Sequence, residues 1–364
     1  MTHVRLAARQ KGTDVPLVKS RRALIYGSNG YTGRLIVERA LARGLRPVLA
    51  GRNAGEISQQ AVRFGLESRV FPLDDPRAID AGLAGIDVVV HCAGPFARTS
   101  RPMADACLRA GAHYLDITGE IDVFESVGLR DADARKAGIV LLPGAGFDVV
   151  PTDCVAAILK DALPTATHLD LAFVVGGGAS AGTTKTSVEA AAVGGRVREN
   201  GELKRVRIGH RRRTAHFRSG PREVGSIPWG DVSTAYRSTG IPNITTFTLV
   251  PGLLGQLQQV FAPILRTPLV QNVAKSVAGQ VKGPDEHKRA NTRSEVFGEA
   301  WDAHTKVECA ITTPNGYSLT ADSVLRAIGK LEGVAPGFHT PSSAFGADFV
   351  RELDGVVVGE VRRS

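Results

Sequence analysis

Tyr26-Gly27-Ser28-Asn29-Gly30-Tyr31-Thr32-Gly33 is the stretch that decides the fold. Its three glycines follow an apolar run, 23–26, and precede an amphipathic one. That second run sets Leu35, Ile36, Ala40 and Leu41 on one helical stripe and stops at Gly44. Strand, glycine turn and helix in this order suit a pyrophosphate. Gly27 permits the tight turn, Gly30 lets the backbone approach the anion, and Gly33 lets the helix pack on the strand. Free N–H groups and the dipole at the helix start favour the negative charge. Gly27, Ser28, Asn29, Gly30, Tyr31, Thr32 and Gly33 are therefore expected to hold a dinucleotide.

Outward from the glycines, short β-branched runs alternate with helical ones. Strands are expected at 47–50, 70–72, 86–91, 113–115 and 139–142, with a helix at 101–110. Such alternation gives an α/β fold, a doubly wound parallel sheet of Rossmann type. The second strand ends in Arg52-Asn53, where an NAD site carries an acid for the ribose hydroxyl. An arginine there pairs with a 2′-phosphate, so NADP(H) is the expected cofactor. Cys92, Ala93, Gly94 and Pro95 follow the fourth strand and should line the nicotinamide side of the crevice, because ligands sit beyond the carboxyl ends of such strands.

The chain has 364 residues, 43% hydrophobic and 22% charged, enough for two cores. Its four cysteines form no C-x-x-C pair, so neither a zinc site nor a disulfide framework is expected, and reduced thiols fit a cytoplasmic setting. No apolar h-region follows the basic start. The uncharged run 238–265 is interrupted by Pro242, Pro251 and Pro263, against a membrane span; it suits an apolar wall or a homodimer interface. The net charge of +9 is concentrated between Arg196 and Arg222, where ten Lys/Arg meet two acids. No nucleic-acid motif accompanies them, which leaves a solvated loop or an acidic partner.

The expected layout is an extension at 1–21, a dinucleotide-binding domain at 22–150, an α+β substrate or dimerisation domain at 151–320, and C-terminal helices over 321–364 that pack back on the first domain. Within the second domain Gly178-Ala179-Ser180-Ala181-Gly182 matches G-x-S-x-G. The earlier glycine motif argues against a serine hydrolase and favours a helix entry that holds a substrate anion. None of the five tyrosines has Lys four residues on, which excludes the usual short-chain dehydrogenase pair.

Taken together, 23–33, HCAGPF (91–96), HYLDITGE (113–120) and PGAGFDVVPTD (143–153) resemble the saccharopine dehydrogenase-like oxidoreductases. Within that family the chain is most similar to the trans-acting enoyl reductases. The likeness continues through 178–183, 283–303, 313–321 and 337–353. It implies an NADP(H)-binding Rossmann domain, an α+β domain closing over it, and reduction of a C=C or C=N bond. Asp148, in the loop after the sixth strand, and Tyr114 and His91 at strand ends are the candidates for proton transfer. Asp116 and Glu120 are further polar candidates, and Asp153 reads as a helix-start acid. The basic segment suits an acidic carrier protein presenting an acyl chain. A saccharopine-type reductase of amino-acid metabolism and a non-catalytic NADP-binding protein stay open.

Overall fold

The structure is a computed structural model that describes residues 21–182, 184, 194–249, 281 and 283–364. The N-terminal extension, the Ala-rich stretch 187–193 and most of the uncharged run lie outside these residues.

The first sheet is wholly parallel. It comprises β1 (Ala23–Tyr26), β2 (Val48–Gly51), β3 (Ser68–Val70), β4 (Val88–His91), β5 (His113–Asp116) and β6 (Val140–Leu142), in the order β6-β5-β4-β1-β2-β3. The third strand thus forms slightly before the expected 70–72. Register runs Ile25 against both Leu49 and Val90. Six helices connect these strands: α1 (Tyr31–Ala42), α2 (Ala54–Phe64), α3 (Pro76–Leu83), α4 (Phe96–Ala110), α5 (Ile121–Gly128) and α6 (Asp131–Ala137). Local chemistry sets their ends. Asn53 accepts the Glu56 N–H and Gly65 closes α2 in the left-handed region, while Asp75 caps α3 with Pro76 in its first turn.

Side chains alternate across the sheet. Val88 and Val90 enter one buried cluster, Val89 the opposite one. Each such valine contributes about 2 kcal/mol by leaving water. The first cluster continues into α7 (Val150–Ala162) and then into the second domain, so the two halves share one core.

A mixed sheet builds that second domain. Its central strands are β7 (His168–Val174), parallel to Asn243–Thr248 on one side and antiparallel to Arg293–Trp301 on the other. Strand Asn243–Thr248 lies within the described part of the uncharged run, 238–249, and sits inside the sheet. The basic segment forms four antiparallel strands, Gly195–Glu199, Glu202–Val206, Arg212–Phe217 and Gly220–Ile227.

The C-terminus serves both halves. Helix Gly316–Lys330 packs on α1, where its buried Asp322 meets Arg39, Arg43 and Arg326. Burial opposes the charge there, but these partners and the Asp354 N–H hold the carboxyl below its ordinary range. Strand Gly337–Phe338 then extends the first sheet beside β6, and Val357–Val358 and Arg362–Arg363 extend the second. Among the expected C-terminal helices, residues 341–352 form only a short helix, Pro341–Phe345, and a 3-10 turn, Ala347–Glu352. Gly346, at φ +85, separates the two.

Candidate functional site: a cleft at the ends of the parallel strands

The glycine turn is tightly built. Gly27 sits at φ +81, where a Cβ would lie 3.0 Å from Ala93, and a Cβ on Gly33 would lie 2.3 Å from the Gly27 carbonyl oxygen. Gly30 precedes α1, whose N-terminus has no side-chain cap and no acid in its first turn. An anion can occupy that end. Ser28 is buried, and Asn29 lies half-buried beside α2. Ser28 Oγ donates to Gln60 (2.7 Å), whose amide returns to the Ser28 carbonyl, and the Asn29 amide donates to Glu56 (2.6 Å). Gln60 and Glu56 had no signal in the sequence beyond their place on α2. Arg52 is exposed and makes no ion pair among the described residues, whereas Asn53 is occupied as the α2 cap. A free arginine, an uncapped helix start and glycines with no room for a side chain fit an NADP-type dinucleotide.

A cavity of about 630 Å³ opens beyond the strand ends, between the two domains. Thr32, Cys92, Gly94 and Pro95 reach it from the dinucleotide side. Phe173, Ile208, Trp229 and Tyr317 reach it from the second domain. No lysine or arginine is among its described lining residues. Burial pushes the Cys92 thiol up, so it stays a protonated filler. The Gly-Ser turn also borders the cavity, and the Ser180 N–H donates to the Tyr317 hydroxyl at 2.6 Å. Trp229 and Tyr317 come from far along the chain and carry no local motif; only the fold brings them here.

Asp148 lines this cavity, and Trp229 Nε1 donates to its main-chain oxygen (2.8 Å). Burial, with the nearby charge of Glu120, pushes its carboxyl up to about 7. Glu120 itself accepts the Phe96 and Ala97 N–H groups (3.0 and 2.8 Å), holding the start of α4.

The other two proton-transfer candidates lie elsewhere. His91 is fully buried on the opposite face of β4, edge-on to Phe96 at 5.5 Å, with neither ring nitrogen partnered. Burial pushes it down to about 3, so it is a neutral core residue near pH 7. Tyr114 is buried too, and its hydroxyl donates to Asp116 at 2.6 Å. Asp116 also accepts the Thr118 and Gly144 N–H groups (3.0 and 2.8 Å), and burial pushes it up to about 6. This pair fixes the loop that carries Asp148. Asp153 accepts from Ser342 N–H and Ser238 Oγ, both at 2.7 Å, tying α7 to two later helices.

The basic segment differs from a free cationic patch. Arg196 pairs with Asp122, Arg198 with Glu125, Lys204 with Glu199 and Arg222 with Glu295, while Arg211 and Arg213 share the buried Asp170. The formal charge was there in the sequence, but its partners lie on other strands and helices. Arg205, Arg207 and Arg212 are exposed and carry no ion pair among the described residues.

Fold and cleft together define a two-domain protein with a Rossmann-type dinucleotide half. Residues 23–142 match the family model of the saccharopine dehydrogenase NADP binding domain. That segment is similar to an NADP-binding domain of this type, and the likeness covers about a third of the chain. Curated relatives include the trans-acting enoyl reductases of Mycobacterium tuberculosis, 30% identical over 138 residues, and of Mycobacterium leprae, 31% identical over 138 residues. Each match takes in 36% of this chain and 33% of the relative, about a third of its length. Apo saccharopine dehydrogenase (L-Glu forming) from Saccharomyces cerevisiae shares the architecture, with a TM-score of 0.62 over 94% of this chain and 100% of that one, at 12% identity. At that identity the likeness is one of fold. No described helix is long and apolar enough to cross a membrane.

Proposed function

We propose that the protein reduces a conjugated C=C bond of an apolar acyl substrate, using NADPH. One observation carries this reading: the cavity beside the dinucleotide turn is walled by Phe96, Phe147, Phe173, Ile208 and Trp229, offers one carboxyl poised near neutrality, and has no basic residue among its described lining. A saccharopine-type substrate brings several carboxylates, and each would want an arginine or lysine in the wall. An acyl chain wants none.

Gly27 to Gly33 and Arg52 would hold the dinucleotide, which when bound supplies a hydride. The substrate lies along the aromatic wall with its β-carbon toward the Cys92–Pro95 turn. Tyr317, on the cavity wall, would orient the substrate's carbonyl as negative charge develops there. Asp148, protonated up to about pH 7, gives its proton to the α-carbon and recovers one from solvent.

The names of the mycobacterial relatives fit a substrate delivered by another protein. Loop residue Ile208 lines the cavity, and its exposed neighbours Arg205, Arg207 and Arg212 are free of ion pairs, so an acidic carrier would dock there. Six of the segment's ten cations are committed to acids, which leaves these three and Arg218 free of ion pairs among the described residues.

Asp148→Asn tests the reaction. With enoyl thioesters, kcat is expected to fall by about 10²–10³-fold while NADPH affinity stays unchanged. Wild-type kcat should fall above pH 7, as Asp148 loses the proton it must give, and the variant should lose that slope. NADPH consumption by an amino acid plus an oxo acid, with enoyl thioesters inert, would sink the proposal.

A further inference from the structure

The dinucleotide turn is gripped from the second domain. Tyr31, the first residue of α1, stacks edge-on with Tyr317 at 4.8 Å, and its hydroxyl donates to the Pro284 carbonyl. Gly283 lies flat against the ring, where a Cβ would come within 2.5 Å of Tyr31. Arg289, on the short helix Glu286–Asn291, completes the clasp. Its Nη1 donates to the Tyr31 hydroxyl (3.1 Å) and to the Pro284 carbonyl (2.8 Å), and the guanidinium stands 6.0 Å from the ring centre.

Arg289 is unusual in what it lacks. Part-buried or buried arginines elsewhere in the second domain each meet a carboxylate: Arg196, Arg198, Arg213, Arg222 and Arg326. Arg289 is part-buried, yet both its partners are neutral oxygens and it forms no ion pair among the described residues. A cation removed from water without a counter-ion is costly. It stands beside the first residue of a helix whose N-terminus has neither a cap nor an acid. Its neighbour Lys288 serves another place, with Nζ 3.8 Å from where a Gly178 Cβ would be.

We infer that Arg289 is a cofactor-binding residue, the second domain's cation for the diphosphate of the dinucleotide. The missing anion arrives with the ligand, and Tyr31 holds the guanidinium in place until it does. Binding then ties the two domains together. The inference rests on the NADP-binding assignment of residues 23–142, and it separates two arginines by chemistry. Arg52 faces the 2′-phosphate, which only NADPH has. Arg289 faces the diphosphate, which NADPH and NADH share.

The test is equilibrium titration of the full chain with NADPH and with NADH, followed by nucleotide fluorescence, in wild type, Arg289→Gln, Arg289→Lys and Arg52→Ala. Gln keeps a donor for Pro284 and Tyr31 but no charge, which protects the fold; an unchanged Tm confirms this. Arg289→Gln should weaken both nucleotides by the same factor, about tenfold, and Lys should restore part of the loss. Arg52→Ala should weaken NADPH alone. Arg289→Gln with wild-type affinity for both, or with a loss confined to NADPH, overturns the inference. A wild type that binds neither nucleotide overturns the cofactor assignment and the inference with it.

Discussion

Two regions of the second domain handle buried acids in opposite ways. On the sheet face turned away from α7, acids meet arginines. Asp170 lies between Arg211 and Arg213, Glu299 between Arg213 and Lys306, and Glu295 beside Arg222. Burial works against the charge on Glu299, but Arg213 and Lys306 prevail and hold its carboxyl below the ordinary range. Around the start of α7 the buried acids have no cation partner among the described residues. Asp148, Asp153 and Asp231 are all pushed up by burial, and none forms an ion pair among the described residues. Where cations are supplied they oppose burial: they outweigh it at Glu299, while at Asp170 burial still pushes the carboxyl up against Arg211 and Arg213. Where they are withheld nothing opposes burial in this way, which suits a proton donor.

The largest effect should follow from breaking the first arrangement. Arg213→Met leaves Glu299 with only Lys306 and takes one of two partners from Asp170, whose side chain is 3% exposed. Loss of about 2–3 kcal/mol is expected in urea unfolding, since two buried carboxylates are each left with a single cation. A loss under about 1 kcal/mol would show that water reaches these acids.

A smaller effect should come from the cavity side. Glu120→Gln removes the negative charge that adds to Asp148's retention of its proton, while the amide oxygen can still accept from the start of α4. Asp148 should then ionise more readily, moving the alkaline limb of kcat from about 7 to lower pH. A shift to higher pH, or none, would separate Glu120 from the acid it is argued to influence.

These two regions were unequally legible in the sequence. The dinucleotide turn is local: glycine spacing, the strand before it and the helix after it lie within about twenty residues, and each has its own chemistry. Asp148 was within reach because a loop after a parallel strand must open at the carboxyl edge. His91 and Tyr114 sit at strand ends too, but which face a strand residue takes depends on parity against a core that the chain alone does not display. The arginines were harder still. Arg211 and Arg213 meet Asp170 across the sheet, 41 and 43 positions earlier, so a count of charge could not tell a free cation from a committed one. Arg289 shows the reverse, a cation whose lack of a partner is visible only in space.

The smallest effect concerns Asp231, and it has a definite sign. Its Oδ1 accepts from the Thr152 hydroxyl and its Oδ2 is buried without a partner. Burial, aided by Asp153 and Asp148, raises its folded pKa well above that of the unfolded chain. The folded state therefore binds the extra proton, and stability must fall as pH rises above the unfolded value of about 4. Below that value both states are protonated and the effect vanishes. Asp231→Asn cannot ionise, so it escapes this decline. Relative to wild type, its unfolding free energy should gain little at pH 4 and progressively more toward pH 8, by the order of 1 kcal/mol. A gain independent of pH would mean the carboxyl is already charged in the fold, and the acids around α7 would then resemble those of the arginine-lined face after all.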